Sequence, residues 1–282
     1  MNTKFLIALI LAVIMISGIT LYYFLQDPLL GNNEKLSNDP KVKFEMDSLF
    51  DIYGFEDYIQ NKNGKKIMYN PEFRLNPNNT EIYEGIFHEN SDNAVVIYPI
   101  FTASAYNEPG FYSFFREECD QECLTVYINN EFTLDFTTGG NGYQILKLLD
   151  YPIISDIDVD KNPDLLKQYD KIILLHNEYV TKNEFDAITN HPKVIYLYPN
   201  ALYAEVKADY ENNSITLIRG HNFPDLKIQN GFDWEYDNSP LEYDVFCKDM
   251  KFNEIPNGVM LNCYPENSIH QSIFLLEAIK DF

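Results

Sequence analysis

Four consecutive residues, His176, Asn177, Glu178 and Tyr179, put an imidazole, a carboxamide, a carboxylate and a phenol side by side, and Asn200 and Tyr203 follow, the second tyrosine 24 positions after the first. Groups of these types, brought together, can exchange protons or hold a cation. On that chemistry His176 and Glu178 are the candidate catalytic pair. Asn177 and Asn200 are candidate cofactor- or ligand-binding amides. A plainer account of the same residues ties His176 and Asn177 to loop backbone and packs the tyrosines into the core.

The surrounding pattern says how such groups would be positioned. Residues 172–175 are a short apolar run of the kind that forms a strand buried on both faces. Thr181 and Glu184 have the T-x-x-E spacing of a capping box, which predicts a helix start with Phe185 and Ile188 turned inward. His191 precedes Pro192, and the residue before a proline disfavours helical geometry, so the helix should stop there. A second apolar run covers residues 194–197. Strand, helix and strand over this length make a right-handed crossover with parallel strands. Both strands would then deliver their polar tails to one rim, where ligands of open α/β sheets bind. Residues 102–106 and 137–142 are expected to end or follow strands in the same way.

Along the rest of the chain, residues 94–101, 124–128 and 152–154 read as further core strands, with helices over 112–118 and 164–168 and one opened by 137–142 with Ile145, Leu146, Leu148 and Leu149 apolar. The alternation predicts an α/β fold: an open, largely parallel sheet flanked by helices. Residues 44–59 read as a short helix broken at Gly54, and 66–69 and 81–87 as peripheral strands. The core is expected over about 94–206, followed by a strand at 214–218 within an irregular, aromatic-rich excursion (207–266). A closing helix over 268–281 turns Ile273, Leu276 and Ile279 inward.

Residues 5–24 carry no charged side chain and are about as long as the 20-residue helix that crosses a bilayer. They predict a signal-anchor over 1–25, a polar stalk over 26–43 and an extracytoplasmic domain over 44–282, or a secreted domain if the segment is cleaved. Four cysteines suit an oxidising compartment, and proximity pairs Cys119 with Cys123 and Cys247 with Cys263; a zinc site is the alternative. Asn78 and Asn212 head glycosylation sequons. Lys and Arg number 21 against 43 Asp and Glu, a formal charge of −22, which argues against a nucleic-acid partner. The run Asp156, Asp158, Asp160 imitates the start of a calcium loop, but Lys161 stands where that loop needs glycine. The stretch Thr137-Thr138-Gly139-Gly140-Asn141-Gly142 can cradle a phosphate or simply turn the chain into a helix.

The H-N-E-Y of residues 176–179, followed by a capped helix, a strand and the N-A-L-Y of residues 200–203, resembles the HDEY…N-x-x-Y pattern of the N,N-dimethylformamidase large subunit and its relatives. Those domains resemble the class I glutamine amidotransferase fold, and the likeness implies that layering here. It also implies a mononuclear iron held by two tyrosines and a glutamate, with Tyr179 and Tyr203 as the matching phenols and no glutamate matched by motif. The chain departs from the pattern at Asn177 and Val180. No cysteine follows a buried strand as the amidotransferase nucleophile does, and there is no G-x-S-x-G. Two readings of function follow: a non-catalytic surface protein that holds a small ligand or partner at this rim, or an iron-dependent amidase acting on a small amide.

Overall fold

The structure, a computed structural model, describes residues 41–55, 59–62, 65–68, 70–89 and 93–282. The expected anchor and most of the expected stalk fall on residues 1–40, outside the described residues. Among the described residues no helix is long and apolar enough to cross a membrane.

Strand β1 (Val42–Phe44) pairs antiparallel with β2 (Phe50–Gly54). A hairpin of β3 (Ile59–Lys62) and β4 (Lys65–Met68) follows, and β5 (Glu72–Leu75) lines the other side of β2. The helix expected within residues 44–59 is therefore strand. Phe50 and Ile52 are buried while Asp51 and Tyr53 are only partly so, and that period of two outweighs the helical look of the composition. Residues 81–87 differ in the opposite sense. Thr80–Ile86 is a helix whose Tyr83 and Ile86, three apart, share its buried face.

The main sheet is built from β6 (Ala94–Tyr98), β8 (Ile153–Ser155), β9 (Lys171–Leu174), β11 (Val194–Tyr196), β14 (Phe252–Ile255) and β15 (Gly258–Leu261). A second sheet takes β7 (Thr125–Tyr127), β10 (Tyr179–Val180), β12 (Ala204–Asp209) and β13 (Ser214–Arg219). In the first, the order is β14-β15-β11-β9-β6-β8, parallel throughout except for β14 at the edge. The predicted crossover is present: Ile172 pairs with Val194 and Leu174 with Tyr196, and helix Lys182–Thr189 connects the two strands. Alternate residues of these strands enter two different cores. Val96, Ile173 and Ile195 join one, and Val95, Ile172 and Val194 the other, as expected of strands covered on both faces.

The strand expected in the core sheet at 124–128 lies elsewhere, together with the strand expected at 214–218. β7 and β13 pair antiparallel in the second sheet, in the order β10-β12-β13-β7. The stretch read as irregular holds β14 and β15, and β15 lies directly against β11. Gly258 allows that approach, because a Cβ there would run into the Val194 carbonyl. The closing helix is shorter than expected, Ile273–Asp281, with Leu276 and Ile279 buried but Ile273 exposed at its first turn. Both cysteine pairs are disulfides, Cys119–Cys123 and Cys247–Cys263, which removes the zinc alternative for these thiols.

Candidate functional site: a buried glutamate among histidines and tyrosines

The polar tail of β9 does not continue as strand. Asn177 N–H donates to the Leu175 carbonyl at 2.9 Å and Glu178 N–H to the His176 carbonyl at 3.0 Å, so two tight turns follow each other. The chain then straightens into β10. Leu202 N–H donates to the Asn177 carbonyl, and Tyr203 and Ala204 N–H both donate to that of Glu178, at 2.8, 3.0 and 2.9 Å. These bonds fasten the segment after β11 to the segment after β9. Asn200 and Leu202 adopt left-handed backbone, φ 63° and 56°, to make the turn.

Glu178 is fully buried at the centre. His221 Nε2 lies 2.6 Å from its Oε1, the Tyr106 hydroxyl donates to Oε2 at 2.8 Å, and the Tyr112 hydroxyl reaches Oε1 at 3.4 Å. Burial pushes the Glu178 pKa up, but His221, His176 and Tyr106 together outweigh it and hold the carboxyl below the ordinary glutamate value. It is a carboxylate at neutral pH.

His176 approaches the other carboxylate oxygen without bonding to it. Its Nδ1 sits 2.5 Å from the Thr137 carbonyl, and its Nε2 lies 4.0 Å from Glu178 Oε2. A carbonyl only accepts, so Nδ1 carries the proton and Nε2 presents its lone pair. Burial lowers the His176 pKa against the pull of Glu178, which keeps the ring neutral. That Nε2 is buried and has no hydrogen-bond partner.

The two tyrosines expected as metal donors flank one ring. Tyr179 stacks on His221 with centroids 5.4 Å apart, and Tyr203 meets the same imidazole edge-on at 4.6 Å. The Tyr179 hydroxyl is buried and interacts with the Tyr112 hydroxyl. Burial, then Tyr112 and Glu178, raise its pKa well above the ordinary phenol value; burial and Asp237 push Tyr203 up to about 12. Of the two candidate amides, Asn177 is fully buried with neither side-chain atom bonded. Asn200 donates through Nδ2 to Glu242 Oε2 at 2.6 Å and leaves Oδ1 unpartnered. Glu242 is a second carboxyl at this site, raised by burial and by Glu178 to about 8.

All six residues singled out in the sequence thus lie at one locus, and Tyr106, Tyr112, His221 and Glu242 join them. Tyr106 and Thr137 come from the other two strand-end stretches. Thr102 Oγ1 also receives the Tyr179 N–H at 3.1 Å. His221 and Glu242 carried no local signal, because both belong to the stretch that lacked periodicity.

Elsewhere the decoys resolve as structure. Asp156 opens helix Asp156–Lys161, capped by Ser155, and accepts the N–H groups of Phe101 and Ile157; Asp160 is bound by Thr181 and Tyr210. No ligand loop exists there. The glycine-rich turn opens helix Gly140–Leu148, with Gly139 at φ 71° against the Tyr198 ring, and its anion position is taken by the protein's own Glu266, whose Oε1 receives Asn141 N–H at 2.7 Å. Among the described residues, no group of three or more His, Cys, Asp or Glu side chains is spaced to hold a metal ion. A site including phenols is a different donor set. No family model matches the chain, and no curated protein matches it.

Proposed function

We propose that this chain is a membrane-anchored, exported hydrolase of the amidase kind, with an amidotransferase-like layering, in which Tyr179, Tyr203 and Glu242 are the donors for one iron ion and His176 and Glu178 handle protons. One observation carries the reading: two phenols, Tyr179 and Tyr203, flank the His221 imidazole, which itself meets the buried Glu178 carboxylate. A cation beside Tyr179 would offset the negative charge of Glu178 and Glu242, both of which act on that phenol. The donor set fits a hard, oxygen-preferring ion. Export is supported by the uncharged N-terminal segment and by the pairing of all four cysteines.

A bound iron ion would supply Lewis acidity toward an amide carbonyl and lower the pKa of its own phenol ligands. The chain's part is the rest. Neutral His176 offers a bare Nε2 as a base. Glu178 stabilises positive charge that arises on that imidazole, and Tyr106, Tyr112 and His221 hold Glu178 in place. Burial of nearly every group in the cluster keeps bulk water out, since among them the His221 side chain is 22% exposed while that of Glu178 is 0% exposed.

A second reading has its own support. Three donors already occupy the Glu178 carboxylate, and His221 closes over it, as in a domain that holds a ligand without transforming it. Full-length protein purified in detergent separates the two. The hydrolase reading expects about one iron per chain and a visible tyrosinate charge-transfer band, both lost in Tyr179→Phe. Iron-free, colourless protein that still binds a small ligand would establish the second reading instead.

A further inference from the structure

His176 and Glu178 face each other as two acceptors. The Thr137 carbonyl fixes the imidazole proton on Nδ1, so Nε2 presents a lone pair. Glu178 Oε2 takes one hydrogen from Tyr106 and has a second lone pair to spare. The two atoms are 4.0 Å apart, each belongs to a buried side chain, and Nε2 has no partner within the protein. Two lone pairs confronting each other away from water are costly unless something between them brings hydrogens. A single atom at an ordinary hydrogen-bond length of about 2.9 Å from each can bridge the gap. That atom must carry two hydrogens.

Among small amides only one class meets the condition. The nitrogen of –CO–NH2 carries two hydrogens, that of a secondary amide one, and that of an N,N-dialkyl amide none. We infer that the position between His176 Nε2 and Glu178 Oε2 binds the NH2 group of a primary carboxamide and excludes N,N-dialkyl amides. The inference rests on the cluster being a ligand site, and it gives that site its substrate class. The surroundings agree with a small neutral group. Tyr106 and Tyr264 rings lie 6.4 and 5.2 Å from the His176 ring, and the Tyr264 hydroxyl is committed to the Phe136 carbonyl at 2.6 Å. His221 bonds the opposite carboxylate oxygen and leaves Oε2 to Tyr106 and to the gap.

Binding of acetamide, N-methylacetamide, N,N-dimethylacetamide and methylammonium to the full-length chain, measured calorimetrically and with the imidazole nitrogen shifts of His176, tests this. Each lost N–H should weaken binding about tenfold, in the order acetamide, N-methylacetamide, N,N-dimethylacetamide. Glu178→Gln and His176→Phe should each erase that order. The wild-type order decides the matter if either variant fails to fold. N,N-Dimethylacetamide binding as tightly as acetamide overturns the inference, and its hydrolysis would leave the hydrolase reading intact. Acetamide bound but never hydrolysed keeps the inference and removes the hydrolase. Tighter binding of methylammonium, or no binding of any probe so that the gap holds only water, overturns the inference.

Discussion

Tyr106 shows how a single side chain sets the state of this cluster. Its hydroxyl donates to a carboxylate that has lost all contact with solvent, and hydrogen bonds to charged groups contribute about 1.5–3 kcal/mol. Tyr106→Phe should therefore destabilise the fold by about that amount in urea unfolding, and the Glu178 pKa should rise because one of the interactions lowering it is gone. An unchanged midpoint would show that Tyr112 and His221 suffice. At this scale the sequence was informative wherever chemistry is local. His176 through Tyr179 lie together because they are adjacent in the chain, and Asn200 and Tyr203 join them because a short crossover returns the chain to the same edge. Glu242 could not be found that way. It meets Asn200 at a sequence separation of 42, through turns whose geometry depends on contacts made elsewhere.

Helix ends give the contrast between local and distant signals at the scale of elements. Thr181 caps helix Lys182–Thr189, accepting Glu184 N–H at 3.3 Å while the Glu184 carboxylate returns to Thr181 N–H at 2.9 Å. That reciprocal pair is written within four residues and was legible. Helix Gly140–Leu148 begins on Glu266, 125 residues away, and no local pattern announces it. In the same way the helix Ile273–Asp281 ends on the buried Lys171 ammonium, which donates to the carbonyls of Ile279 and Lys280 at 3.0 Å each. A cation at a helix C-terminus complements the dipole, but the partners are 108 and 109 residues apart.

Glu266 also makes a pH prediction. Burial pushes its pKa up to about 8, against the pull of Tyr198, Asn141 and Gly142, so the folded chain holds this proton more tightly than the unfolded chain does. Stability is then fullest below the ordinary glutamate range, falls as pH rises toward about 8, and levels off above it. Glu242 adds to the loss in the same window. Glu266→Gln should flatten part of that decline in melting temperature between pH 6 and 9, roughly the upper part of the titration. A decline of undiminished slope in the variant would show that Glu266 stays ionised in the folded protein.

For the molecule as a whole, the α/β alternation was readable because apolar runs and helix signals are short-range properties. Assignment of strands to sheets was not. β7 looks like a core strand in composition, yet its pairing with β13, and that of β13 with β12, rather than with β6 or β9, is a tertiary decision. β15 was missed because its run of Val259, Met260 and Leu261 is brief and sits among turns. The disulfide Cys247–Cys263 ties that late stretch to itself across 16 residues, whereas Cys119–Cys123 closes only 4. Replacing the first pair by serine should cost about 3 kcal/mol and more than replacing the second; equal losses would mean that loop entropy is not the main contribution.

The central claim is that Tyr179 and Tyr203 hold an ion, and crystals of the iron-replete chain examined at the iron absorption edge address it without intermediaries. One anomalous peak is expected at bonding distance from both phenol oxygens. A map with no peak there would contradict the claim.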